Sequence, residues 1–380
     1  MDRLNWNVSH VMDVALLAVI LGLVVYGIVY AATPSTFVVN TPHNNPIAIV
    51  AKTTDELLIT EYCIPPEDWS IFSVDSTGEF TPFGPSIRPN GGCLEEYLAI
   101  SSGLGGFPAG HVYVTQGRNI YEFTPTGDLI GDPFATVPIA GRDHTGITFD
   151  QVGTFGYKMI ATGWAGQVYT IAPDGTVTLI ADVGEEHESP VVIPVGFGPL
   201  GGQVWTAAEN SGRVIATSRM GEVTIVAEGM PRADVIQLIP NSVCNFGASG
   251  GAFFVTNTFN DGGLGRIVKF PASDFTGLEG DVLVAGEPVW PGRKPAYIYR
   301  ISNPGGTGYE VSNFEDPPVA RFHEGATFAL CPTAEPTPSP SEPGVPNPAA
   351  VPEASTLLLL GSGLVSLAGY AGLRLRARCK

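Results

Sequence analysis

The chain has 380 residues, of which only 15% are charged, and its 37 Asp and Glu against 19 Lys and Arg give a formal net charge of −18. That balance argues against nucleic acid and against anionic membrane surfaces as partners. Its 47 Gly and 33 Pro suit many short strands joined by tight turns rather than helices.

Residues 1–10 are polar, and Val14 to Tyr30 is almost wholly apolar, followed by the small residues of Tyr30-Ala31-Ala32. Residues 1–32 read as a signal peptide or, because the run is longer than a usual signal core, as an uncleaved signal anchor. Either way the body is translocated. Residues 33–45 read as a short linker.

From 46 to 331 the pattern changes to alternating runs of four to eight residues punctuated by Gly, Pro, Asn and Asp. One hairpin recurs: an apolar strand, a turn ending in Gly, then a second apolar strand. It occurs at Ile71–Gly78, Ile120–Gly127, Val168–Gly175, Val214–Gly221, Ile267–Gly277 and Val319–Gly325. Steps of roughly 46 to 56 residues between these glycines match the period of a four-strand propeller blade. Two further strands precede each hairpin, so the chain is all-β and predicts a six-bladed β-propeller over 46–331. By pattern and period this body resembles the six-bladed propellers of the NHL-repeat and regucalcin-like lactonase group, which implies fold rather than activity.

In such a blade the loops leading into the first strand and those joining second to third share one face around the channel. The leading loops carry His43, Glu95, Glu96, Asp143, His144, His187, Glu188 and Asp234. The second set carries Glu61, Gln116, Trp164, Glu209, Asn210, Asn257, Asn260, Asp261, Asn313, Glu315 and Asp316. From these His144, His187, Glu188, Glu209 and Asn257 form the candidate cation set, and oxygen ligands favour Ca²⁺ or Mg²⁺. The lactonases draw ligands partly from Pro-Asn-Gly and Pro-Asp-Gly steps. Here Pro89-Asn90-Gly91 alone sits comparably, Pro173-Asp174-Gly175 falling in an outer hairpin. The acidic run Asp182–Glu188 reads first as a solvated loop. His323, aligned with Pro173 and Arg219, is expected at a solvated outer turn. There is no Gly-x-Ser-x-Gly elbow, no phosphate-binding Gly loop with Lys, and no His-Glu-x-x-His motif.

Of five cysteines, Cys379 lies in the tail and Cys63, Cys93, Cys244 and Cys331 in the exported part, where disulfides persist. Cys63 and Cys93 fall on one face of neighbouring blades and are expected to pair. Cys244 and Cys331 fall on opposite faces and are not.

Residues 332–350 form a Pro-rich linker, extended at roughly 3.1 Å per residue. The last stretch, 351–380, has three parts: Val351, Pro352, Glu353, Ala354, Ser355 and Thr356; an apolar run from Leu357 to Leu373; and a basic tail with Arg374, Arg376 and Arg378. The run is at the short end for a membrane-spanning helix, and the cations hold its end on the cytoplasmic side. This pattern resembles the PEP-CTERM sorting signal of bacterial exported proteins, with Ala354 where the commonest form has a second Pro. The resemblance implies an exosortase-type enzyme as partner, transient insertion in the inner membrane, and processing near Pro352-Glu353.

A strong sorting signal beside a propeller with no complete catalytic motif favours a binding or structural module, at the cell surface or in an extracellular polysaccharide matrix. The alternative is a Ca²⁺- or Mg²⁺-dependent hydrolase or lyase at the channel mouth.

Overall fold

Runs such as Leu57-Leu-Ile-Thr and Val112-Tyr-Val-Thr are short, rich in β-branched and aromatic residues, and bounded by turn formers, so they pair as strands rather than wind as helices. A computed structural model describes residues 32–332 apart from 67, 89–90, 132, 142, 258–264, 288–296 and 315–322. Among the described residues no helix is long and apolar enough to cross a membrane. The expected terminal spans, the sorting motif at 351–356 and the basic tail lie outside them.

The strands, in chain order, are β1 (Ser35–Val38), β2 (Pro46–Ala51), β3 (Glu56–Glu61), β4 (Ile71–Asp75), β5 (Phe80–Pro82), β6 (Leu98–Ile100), β7 (Val112–Gln116) and β8 (Asn119–Phe123). There follow β9 (Ala135–Thr136), β10 (His144–Phe149), β11 (Met159–Gly163), β12 (Gln167–Ile171), β13 (Val177–Asp182), β14 (Glu188–Val192), β15 (Val204–Ala208) and β16 (Arg213–Thr217). The last are β17 (Val223–Glu228), β18 (Ala233–Leu238), β19 (Phe253–Asn257), β20 (Arg266–Phe270), β21 (Val282–Gly286), β22 (Ile298–Ser302), β23 (Glu310–Asn313) and β24 (Ala326–Phe328). They form six four-stranded antiparallel sheets, the six blades of a propeller.

Four blades are sequential meanders: β2–β5, β6–β9, β10–β13 and β14–β17. The expected register fails in the last two. The fifth blade is ordered β18-β21-β22-β23 and the closing blade β24-β19-β20-β1. The chain leaves the fifth blade after its first strand, builds two middle strands of the closing blade, and returns. Gly277 therefore does not close a hairpin between paired strands. Burial explains the difference. All five residues of β21 are buried, as befits a strand covered on both faces, whereas the true outer strands β17 and β23 are largely exposed. Ring closure also recruits the stretch read as a linker: β1 pairs antiparallel with β20 as the outermost strand.

Aromatic contacts pack adjacent blades. Phe107, Tyr113 and Phe149 meet edge to face, with Phe107–Phe149 centroids 4.9 Å apart, and Trp205 meets Tyr309 at 5.0 Å and 89°. Each such pair contributes about 0.5–1.5 kcal/mol beyond its buried area. Two disulfides form, Cys63–Cys93 as expected and Cys244–Cys331 against expectation. The latter follows from the altered register: Cys331 trails β24, the innermost strand of the closing blade, not an outer one.

Candidate functional site at the channel mouth

The inner strands β2, β6, β10, β14 and β18 with β24 surround a central channel. Four of them break register near their N-terminal ends, at Pro46/Ile49, His144/Gly146, Glu188/Val191 and Ala233/Val235. A bulge at this position re-aims a side chain. The breaks in β10, β14 and β18 and the approach to β24 share a three-residue step: His144-Thr145-Gly146, His187-Glu188-Ser189, Ala233-Asp234-Val235 and His323-Glu324-Gly325. In the last three the middle residue, an acid, lines the channel-mouth cavity, and the first does not. In the first and last steps the third residue is Gly, where inner strands converge. A Cβ on Gly146 would collide with Pro190, and one on Gly325 with the Ile47 carbonyl.

His323 is thus not at an outer turn. It is buried at the head of the innermost strand of the closing blade, and Gly325 is an inner-strand glycine rather than a turn glycine. In sequence an inner-strand Gly and a hairpin-turn Gly look alike, and only strand pairing separates them.

A cavity of about 460 Å³ occupies the mouth, lined by Glu95, Asp143, Trp164, Glu186, Glu188, Glu209, Arg232, Asp234, Glu287 and Glu324. Eight of these ten are carboxylates, and Arg232 is the one basic side chain among them. Glu186, Glu188 and Glu209 each place one carboxylate oxygen so that all three lie within 4.8 Å of one another. Glu188 extends from the start of β14, and Glu209 follows the end of β15. The Tyr97 hydroxyl sits 3.1 Å from Glu188 Oε2 and 3.2 Å from Glu95 Oε2. Asn210 Nδ2 donates to Glu186 Oε2 at 3.3 Å. Arg232 forms ion pairs with Glu209 and Glu287. Trp164 is 53% exposed at the rim, its backbone N–H donating to the Asp143 carbonyl at 3.3 Å.

The electrostatics follow from crowding like charges away from water. Burial first, then the Asp234, Glu95 and Glu209 charges, raises Glu188 well above the usual carboxylate range. Burial and Glu324 do the same to Asp234, and burial with Glu95 and Glu188 to Glu324. Glu186 is pushed up to about 7 by burial and by Glu209 and Glu95. Glu209 is raised by burial against the opposing pull of Arg232. Asp234 Oδ2 is buried and has no hydrogen-bond partner among the described residues. A set of hard oxygen donors with one such vacant acceptor suits Ca²⁺ or Mg²⁺. The residues present fit that ion.

Of the five candidate ligands, the structure brings Glu188 and Glu209 together. His144 and His187 are fully buried and do not line the cavity. His187 Nδ1 lies 2.7 Å from Thr206 Oγ1, and His144 Nδ1 3.3 Å from the Thr162 carbonyl. Burial lowers both to about 4, so they are neutral packing groups. Asn257 ends β19, buried and outside the cavity lining. Glu96 turns away into a buried ion pair with Arg88, while Asn260, Asp261, Glu315 and Asp316 lie outside the described residues. Glu186, Arg232, Glu287 and Glu324 were not singled out as site residues. Glu186 belongs to the acidic run read as solvated, and its spacing of two from Glu188 was the available signal, since alternate residues of an extended segment face one way.

Neither a protein-family model nor a curated protein matches the sequence. Solved structures similar to it include a streptogramin B lyase (15% identity, 78% of this chain and 94% of that one, TM-score 0.43). A nidogen/laminin complex (14%, 76% and 86%, TM-score 0.47) and a putative gluconolactonase (10%, 76% and 83%, TM-score 0.43) are also similar. The likeness is one of propeller fold.

Proposed function

We propose that this protein is an exported β-propeller that binds a divalent cation, Ca²⁺ by its all-oxygen donor set, at the channel mouth. It serves as a binding module at the cell surface or in an extracellular polysaccharide matrix. The observation that carries the reading is the convergence of Glu186, Glu188 and Glu209 within 4.8 Å beside the vacant Oδ2 of buried Asp234. A flexible cage of carboxylates with room for water is what Ca²⁺ takes. Delivery rests on the resemblance of 351–380 to a PEP-CTERM signal, with an exosortase-type enzyme ending the mature chain near Glu353 and releasing it from the inner membrane. Mass spectrometry of the mature C-terminus finding Arg378 attached would overturn that part.

Titrating the full-length protein with Tb³⁺, a Ca²⁺ surrogate, tests the site. Trp164 lines the same cavity, so excitation of tryptophan is expected to give saturable lanthanide luminescence that Ca²⁺ displaces. Glu188→Gln or Glu209→Gln should weaken it about tenfold or more. No displaceable signal, or one indifferent to both substitutions, sinks the proposal.

A second reading, a metal-dependent hydrolase or lyase, is favoured by the size of the cavity, which exceeds what an ion fills. A bound cation would supply Lewis-acid polarisation of a carbonyl oxygen. Glu95 and Asp143 line the same cavity outside the triad and are the carboxylates this reading assigns to accept a substrate proton, and the Tyr97 hydroxyl donates to Glu95. Cation-dependent turnover lost in Glu95→Gln and Asp143→Asn would favour this reading.

A further inference from the structure

Arg232 is the one cation in a wall of carboxylates, and it is engaged with a member of the triad. Its guanidinium joins Glu209, which faces the proposed ion, to Glu287, which is outside the triad. The backbone holds it there against its own preference. Arg232 has φ of +59°, a left-handed conformation that a non-glycine residue rarely adopts without strain. Hydrogen bonds on both sides fix that conformation: Ala233 N donates to the Met230 carbonyl at 3.0 Å, and Glu287 N to the Arg232 carbonyl at 2.9 Å. Strain of this kind collects at ligand clamps. One donor is also left over. Arg232 Nε is buried and has no hydrogen-bond partner among the described residues, and a buried donor without an acceptor is costly.

We propose that Arg232 is a built-in counter-ion that the divalent cation displaces from Glu209, and that the freed guanidinium then takes an oxyanion group, such as a carboxylate, of a ligand bound beside the ion. This inference rests on the cation reading above and adds the order of events and the ligand chemistry. Without the cation, Arg232 offsets part of the charge of Glu209 and so competes for one of the three ligand oxygens. With the cation in place, Glu209 is drawn to the ion, Glu287 keeps hold of the guanidinium, and its remaining N–H groups face the cavity. A free oxyanion would be disfavoured by a cavity wall built mostly of carboxyl groups. It is accepted only where ion and guanidinium flank it together, so the ligand follows the ion. Planar guanidinium groups suit carboxylates because two N–H donors match two oxygens.

The test is calorimetric titration of Ca²⁺ into the full-length protein and its Arg232→Gln and Arg232→Lys variants, with and without acetate as the anion probe. Removing a charge-assisted competitor should tighten Ca²⁺ binding to Arg232→Gln by roughly ten- to a hundredfold. Arg232→Lys, which keeps the charge but lacks the planar guanidinium fork, should fall between. Acetate should tighten Ca²⁺ binding in the wild type and leave Arg232→Gln unaffected. If wild type binds Ca²⁺ and neither variant binds it more tightly, the counter-ion role is wrong while the cation site stands. Equal acetate effects in wild type and Arg232→Gln would overturn the anion assignment. Absence of Ca²⁺ binding in all three proteins would remove the cation reading, and this inference with it.

Discussion

Glu188→Gln should change stability in opposite directions depending on whether the cation is bound. Glu188 is fully buried beside Asp234, Glu95 and Glu209, and its carboxyl lies well above the ordinary range. A group whose folded value is raised contributes stability that is complete below its unfolded value and is lost as pH rises through the folded one. Glu186, pushed from 4.5 to about 7, marks the window. The cation-free wild type therefore loses stability between about pH 4.5 and pH 7 and above through these groups. Gln is a permanent mimic of the protonated form, so the variant should melt higher than wild type at pH 8 without cation, and its profile should be flatter. Ca²⁺ reverses the order. At a hundred times its Kd, a ligand binding only the folded state adds about 2.7 kcal/mol. A body of roughly 300 residues has an unfolding entropy of about 0.6 kcal/mol/K, so wild type gains about 4 °C. The gain should be largest at pH 8 and smallest at pH 5, where protons compete for the same oxygens. Scanning calorimetry of both proteins at pH 5, 6.5 and 8, with Ca²⁺ and with chelator, measures all of this. A Glu188→Gln protein that melts below wild type in chelator at pH 8, or gains as much from Ca²⁺, would refute the reasoning.

The two disulfides close loops of different length, with sequence separations of 30 and 87 residues. Loop-closure entropy then assigns about 3.6 kcal/mol to Cys63–Cys93 and about 4.6 kcal/mol to Cys244–Cys331. Paired Cys→Ala variants should melt lower in that order, and a larger loss from Cys63–Cys93 would count against it. The buried histidines act with the opposite sign to the carboxylates. His144, His187 and His323 are each lowered from 6.5 to about 4 by burial, so the stability of their neutral forms is present above pH 6.5 and lost as pH falls toward 4. With Ca²⁺ saturating the carboxylates, stability should fall over that range, and His323→Gln should reduce the slope. An unchanged slope would show that His323 does not contribute.

The blade count and the face carrying the site were legible because both depend on local periodicity. Strand alternation, a positive-φ Gly in each early hairpin, and polar residues at strand ends are all fixed by neighbours in the chain. That route places Glu188, Glu209, Asp143, Asp234 and Trp164 at the mouth, since each stands at a strand end on the expected face. What was not legible depended on pairing between distant segments. Nothing local distinguishes Val282–Gly286 as a middle strand of the fifth blade until β18 lies beside it. Nor does Ser35–Val38 announce that it completes the closing blade until it meets β20, more than two hundred residues away.

The site divides the same way. The sequence by itself determined an acidic, β-rich chain with loop carboxylates directed to one face of a ring. Only the tertiary structure decided which acids are buried together, because that depends on bulges in strands brought side by side around the channel. It set Glu188 and Glu209 in the cavity and His187 behind it, although His187 and Glu188 are adjacent in the chain, since a one-residue step in an extended strand reverses the direction of the side chain. It also placed Arg232 against Glu209, a contact between two blades that no period in the sequence encodes.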